Sequence, residues 1–434
     1  VSNARLILVV LLCALPAVWL FDGPIVHGLV AGAAAVGLIV VTRTMRPGET
    51  EFFLSFARRA ALLAAIPALW MLFQILPIRP LANPMWASAE TAIGHPLAGS
   101  ISIDTGASVM ALGQYLTIAA IGFWSAAVAV DRQRAEWILF ALMGGIALMA
   151  LVAIGNTVSA PGSFGIGHSL FAQMQAIDCM ALGIVIALAA GVRTLERYET
   201  RHASPHRSAA ALLRTFAACA GALALCTAAI ILEGGGATLI GPAYGAITLA
   251  AVVCIRRLGL GLWGILAFAI PIVGIAVFLV ATNPDLRTKS SVLAFAKGSP
   301  AALTTMSQRI VDDAPLAGIG AGSFEAIAPI YRDADDQAAI STAPTAAAQM
   351  AIELGRPMLW LIVAAMVGAI YFLLRASLRR GRDSFYPTAG AGCLVALLFL
   401  IFMNAGAFGM AATMITAATL GLAFAQSRSR TAQP

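Results

Sequence analysis

The chain has 434 residues, 60% of them hydrophobic and only 11% charged, with a mean hydropathy of +0.89. Soluble domains keep roughly a quarter of their residues charged, so this composition excludes an ordinary water-soluble fold. The net charge of +7 does not mark a nucleic-acid binder, because the basic residues are spread over short segments between apolar runs.

Those runs, about twenty residues each, recur along the whole chain and match the thickness of a bilayer core. Backbone in hydrocarbon must satisfy its own hydrogen bonds, so such runs are helices. The ten-residue alternation of barrel strands is missing. The expected fold class is therefore all-α: a single polytopic membrane domain over 1–434, with about twelve transmembrane helices. Spans are read at 6–21, 25–41, 60–78, 110–130, 135–155, 169–192, 215–232, 238–255, 258–281, 357–374, 386–404 and 407–426. The first run follows Arg5 and resembles a leader, but a second span succeeds it at once, so it reads as a retained helix.

Arginine and lysine orient the array, since short cytoplasmic loops collect positive charge. With the N-terminus inside, 20 of the 27 basic residues fall on the cytoplasmic side and 7 on the other. Both termini are expected in the cytoplasm and the protein in a bacterial inner membrane. Two outer segments are long enough to carry function, Arg79 to Val109 and Thr282 to Arg356. The second, between spans nine and ten, is the large periplasmic loop, and a segment of that length is expected to form short helices lying on the membrane. The basic inner stretch Arg193–Arg214 reads as a solvated linker near anionic headgroups. Six cysteines lie in apolar segments without CxxC spacing, which fits small buried hydrophobes better than disulfides or metal ligands. No internal repeat of the inverted transporter kind stands out.

Three outer segments carry a resemblance. The first is Leu69-Trp70-Met71-Leu72-Phe73-Gln74-Ile75-Leu76-Pro77, with Pro84-Met85-Trp86 and Ser100-Ile101-Ser102-Ile103-Asp104 after it. The second is Pro315-Leu316-Ala317-Gly318-Ile319-Gly320-Ala321-Gly322-Ser323-Phe324, then Tyr331-Arg332. The third is Gln349-Met350-Ala351-Ile352-Glu353-Leu354-Gly355. In order and in side of the membrane, the chain resembles the O-antigen ligase and O-antigen polymerase family of bacterial surface-polysaccharide proteins. The resemblance implies a metal-independent, cofactor-free glycosyltransferase acting at the periplasmic face. Its partners would be an undecaprenyl-pyrophosphate-linked glycan, membrane lipids and other polysaccharide-assembly proteins. Such chemistry needs guanidinium groups on the leaving pyrophosphate and a base, usually histidine, for the acceptor hydroxyl.

The chain departs from the family pattern at those positions. The family's loop histidine falls on Pro344, and the loop from Thr282 to Arg356 contains no histidine. Its Ser-Arg-Gly-Gly-like segment reads Leu232-Glu233-Gly234-Gly235-Gly236, and a further arginine falls near Pro300. A family member degenerate in its active site is one expectation. A secondary transporter or lipid-carrier permease coupled through Asp178 is another, and a non-catalytic membrane scaffold a third.

Candidate residues each have a plainer reading. Arg309 and Arg332 can hold a pyrophosphate, or face solvent and headgroups; Arg356 sits at a helix border where arginines snorkel. The glycines from Gly318 to Gly322 can present N–H groups to a phosphate, though without a P-loop lysine a tight turn explains them better. Gln349 and Glu353 are one turn apart and can line one cleft, or simply cap and pack. His95 and His168 are outer-face histidines that can stand in for the missing base, or be loop residues. Asp178, within span six beside Gln173 and Gln175, would cost roughly 2.5–3.5 kcal/mol facing lipid and so belongs inside the bundle. It is either a coupling site or a structural, hydrogen-bonded aspartate.

Overall fold

A computed structural model describes residues 2–158, 169–200, 209–234, 236–258, 291–296, 299–332, 342–379 and 384–427. Among them there is no strand. The helices are α1 (Ser2–Cys13), α2 (Leu15–Leu20), α3 (Pro24–Thr44), α4 (Pro47–Ile75), α5 (Pro84–Ile93), α6 (Thr105–Val128), α7 (Arg132–Val158) and α8 (Leu170–Thr200). They continue with α9 (Ala209–Gly234), α10 (Ile240–Leu258), α11 (Ala301–Asp313), α12 (Phe324–Tyr331), α13 (Ala346–Glu353), α14 (Arg356–Arg379), α15 (Phe385–Met403) and α16 (Met410–Gln426). Nine of the described helices are long and apolar enough to cross a membrane: α3, α4, α6 to α10, α14 and α15. The chain is a polytopic α-helical membrane protein.

Where residues are described, helices occupy the positions read from the sequence, with departures in form. The first run is not one span-length helix; it breaks at Ala14, with Pro16 opening α2. Proline is favoured there because its missing N–H is an orphan anyway. The last run is 17 residues, shorter than the nine. The span read at 258–281 lies outside the described residues.

Burial separates an inner from an outer set. The apolar window of α8 is 83% buried and that of α15 is 72%, against 17% for α4 and α14. An apolar face left open on a spanning helix is solvated by lipid, so α8 and α15 form the bundle's interior and α4 and α14 its lipid face. Small residues let helices approach, since lipid gives no hydrophobic push between helices and close packing must hold them. A Cβ on Gly421 of α16 would meet the Gly122 carbonyl of α6, and one on Gly245 of α10 would meet the Gly392 carbonyl of α15. Beside the first crossing, Ser125 donates to the Ala418 carbonyl at 2.8 Å.

The two ends of the bundle differ in chemistry. At one end, Arg193 of α8 pairs with Glu136 of α7 at 2.5 Å, Arg134 with Glu49 of α4 at 3.6 Å, and Arg256 of α10 with Glu196 at 3.0 Å and with Ser384. Arg193 also lies over the rings of Phe140 and Phe385. The other end gathers the C-terminus of α4, the N-terminus of α6, and the segments holding α5, α11, α12 and α13. The described parts of 282–356 thus hold short helices, and α11, α12 and α13 share a small core of Leu303, Ile310, Phe324, Ile327, Ala347 and Ile352.

Candidate functional site

The three separate stretches singled out in the sequence meet at this loop end. Gln74, on the last turn of α4 and fully buried, reaches across to the other two. Its Nε2 donates to the Ala317 carbonyl at 2.8 Å and to the Glu353 carbonyl at 2.9 Å, and its Oε1 accepts from Ala321 N at 3.3 Å. Trp70, one turn earlier, donates to the Leu354 carbonyl at 2.9 Å. The Ser100–Asp104 stretch closes the knot: Ser102 N bonds the Gln74 carbonyl and Ile103 N the Ile319 carbonyl. Ser108 donates to the Ala321 carbonyl at 2.8 Å and lies 2.7 Å from the Ser102 hydroxyl. Asp104 starts α6 by accepting from Ala107 N, an N-cap of the usual kind.

The glycine run is a turn wrapped around a carboxylate of the chain itself. Gly318, Gly320 and Gly322 have φ of 78°, 109° and 74°, a region glycine enters without penalty. The alternation turns successive N–H groups inward. Gly322 N donates to Glu353 Oε2 at 2.8 Å, Phe324 N to Oε1 at 3.4 Å, and Gln349 Nε2 to Oε1 at 3.0 Å. The remaining N–H groups of the run go to Pro315, Ile352, Glu353, Gln74 and Gly320. No N–H from Gly318 to Phe324 is left for an external phosphate. The nest already holds a carboxyl group, that of Glu353. Burial pushes the Glu353 carboxyl up to about 7, opposed by the hydrogen bonds from Gly322, Gln349 and Phe324.

Arg309 is exposed on α11, and Arg332 is half-buried just past α12 with its Nε enclosed and lacking a partner. Neither bonds to Glu353 or Gln349. Arg356 is anchored through Nη2 to the Val311 carbonyl at 2.6 Å, tying α14 to the end of α11. His95 is exposed just after Gly94, the left-handed residue that ends α5. His168 lies outside the described residues.

Asp178 is fully buried, inside the bundle as its cost in lipid requires. Asn404, at the break between α15 and α16, donates to its Oδ1 at 2.9 Å.

Below the knot runs an apolar groove of about 370 Å³ between α4 and α6 on one side and α14, α15 and α16 on the other. Phe56, Tyr115, Met366, Phe408 and Phe424 line its length, and Met350 of α13, next to Gln349, closes one part of the wall.

Sequence reasoning did not single out Gln74 and Asn404 as site residues. Each is an amide at the end of an apolar helix, where a polar group must find a partner, and that cost was the available signal. No protein-family model matches the chain, and no curated protein is significantly similar to it.

Proposed function

We propose that the chain is an O-antigen-ligase-like protein of the bacterial inner membrane that binds an undecaprenyl-pyrophosphate-linked glycan at its periplasmic face and transfers it poorly or not at all. In this reading about twelve spans cross the membrane, both termini are cytoplasmic, and the knot and its loop face the periplasm. The observation that carries it is the meeting of the family-like segments around Gln74 and Glu353, though up to 285 residues separate Trp70 from Gly355 in the chain. The groove supports it: walls of spanning helices are filled by hydrocarbon, and one that runs up to Met350 would deliver a polyprenyl chain with its charged head near Gln349. Arg332 and Arg309 are the loop arginines proposed to meet the pyrophosphate.

Weak transfer follows from what the loop lacks. A positioned base contributes typically 10²–10⁴-fold and an electrostatic donor to the leaving group roughly 10²–10³-fold. With no loop histidine and two expected arginines replaced, turnover falls while binding survives. The test uses purified protein and undecaprenyl-pyrophosphate-linked oligosaccharide, with binding and transfer measured separately. Binding without transfer is expected, weakened about tenfold by Arg332→Ala or Arg309→Ala, the worth of one charge-assisted hydrogen bond. Efficient transfer would refute the degenerate site and direct attention to His95 and His168. Absence of binding would favour a transporter or a scaffold.

A further inference from the structure

Asp178 sits about 12 Å along α8 from Leu170 at 1.5 Å per residue, inside the most buried helix of the bundle. An ionised carboxylate has about four lone-pair sites to satisfy. Asp178 has one donor, the Asn404 amide on Oδ1, while Oδ2 is fully enclosed with no donor at all. No lysine, arginine or histidine pairs with it among the described residues. Among the described residues, the Cys179 thiol lies beside it, and the Cys226 thiol of α9 acts in turn on Cys179. Nearer the loop end comes Glu233, whose carbonyl holds Gln173. None of these supplies a positive charge.

The surroundings are built rather than incidental. Asn404 accepts from Gly406 N through its side chain at 2.9 Å and from Ala346 N, the start of α13, through its carbonyl at 2.9 Å. Gln175, with its amide oxygen turned to the donors, accepts from Met410 N and Ala411 N, both 3.0 Å, and so caps α16. Gly406 and Gly409 press so closely on Met174 and Gln175 that a Cβ on either would overlap them. The break in the chain between α15 and α16, with its tight turn Gly406–Phe408, is therefore docked on the turn of α8 that carries Asp178. Broken helices at membrane depth are a recurrent setting for ion and proton sites.

We propose that Asp178, held by Asn404 against the break between α15 and α16, is a proton-binding site inside the membrane. An uncompensated charge there is costly, and a proton on Oδ2 removes it without any further donor. Asn404 bonds both Asp178 and the first N–H of α13, whose last residue is Glu353, so one residue touches both the site and the helix that ends in the knot. This inference is independent of the glycan reading.

Infrared difference spectroscopy of the purified protein in lipid tests it without requiring a reagent to reach the site. A carboxylic-acid C=O component beyond that of Glu353 is expected in the unmodified protein, lost in Asp178→Asn while the Glu353 component remains, retained with a shifted frequency in Asp178→Glu, and bleached as pH rises. Size-exclusion profiles and helical circular dichroism matched between the variants separate loss of the proton from loss of the fold; if Asp178→Asn misfolds, Asp178→Glu alone must move the band. A spectrum in which neither substitution alters the carboxylic-acid region at any pH would overturn the proposal. So would bleaching of the band by sodium in place of choline at constant pH, which would assign the site to a metal cation instead.

Discussion

Glu353 and Asp178 are both carboxyls closed off inside the protein, and their surroundings treat them in opposite ways. Glu353 lies in a wrapped turn where both oxygens accept hydrogen bonds, two of the three from backbone N–H groups that the positive-φ glycines aim at it. Asp178 has one side-chain donor and an oxygen with none. A carboxyl bonded on both oxygens to backbone is part of the scaffold, since removing it strands several buried donors at once. A carboxyl left half-answered inside a bundle is costly as an anion, which is the ground for placing a proton on it. The comparison separates the residue that holds the loop end together from the residue for which a proton site is proposed.

The strongest blow to the scaffold side is at Gly355, whose φ is 92° and whose Cβ would fall on the Leu316 carbonyl. Gly355→Val is expected to cost roughly 3 kcal/mol or more and to remove most folded protein from the size-exclusion profile. Gly144→Ala on α7, where a Cβ meets open space, should leave the profile unchanged.

Gln74→Leu comes next. It strands Ala321 N and deprives the Ala317 and Glu353 carbonyls of a donor, at about 1–3 kcal/mol for buried groups left unmatched. A lowered Tm is expected, and a Tm equal to that of the unmodified protein would show that the knot is not held through Gln74.

Glu353→Gln sharpens the comparison through pH. The folded Glu353 binds its proton more tightly than the ordinary carboxyl at 4.5, up to about 7. Its contribution to stability is therefore full below about 4.5 and is lost as pH rises to about 7. Tm should fall across that window by the equivalent of up to about 3 kcal/mol, and Glu353→Gln should flatten the slope. A slope that persists in the variant would place the titration on another group.

The smallest effect is expected at Asp178. Asp178→Asn keeps the volume and still accepts from Asn404, so its cost should stay under about 1 kcal/mol. A loss as large as that of Gln74→Leu would erase the distinction between the two carboxyls.

Much of this architecture was legible in the residues. Apolar length placed the spanning helices, and the cost of charge in lipid placed Asp178 inside. Their ends were less legible. The sequence reading starts the third span at Ala60, just after Arg58 and Arg59, whereas α4 runs through them from Pro47. Arginines can stay helical while their heads reach water, so charge marks the membrane edge and not the helix end. Within the knot, the spacing of Gln349 and Glu353 announced a shared face, and Gly318 to Gly322 announced a turn. That the turn closes on Glu353 was hidden, because it depends on contacts between residues about thirty apart in sequence and on α4 from the far end of the chain.

The functional reading depends above all on the knot facing the periplasm while the basic end faces the cytoplasm. Fusions of a reporter active only in the periplasm measure this directly. A fusion after Ser323 is expected to be active and one after His202 silent, as the 20-to-7 division of basic residues requires. Activity after His202 with silence after Ser323 would put the knot on the cytoplasmic side and contradict the account.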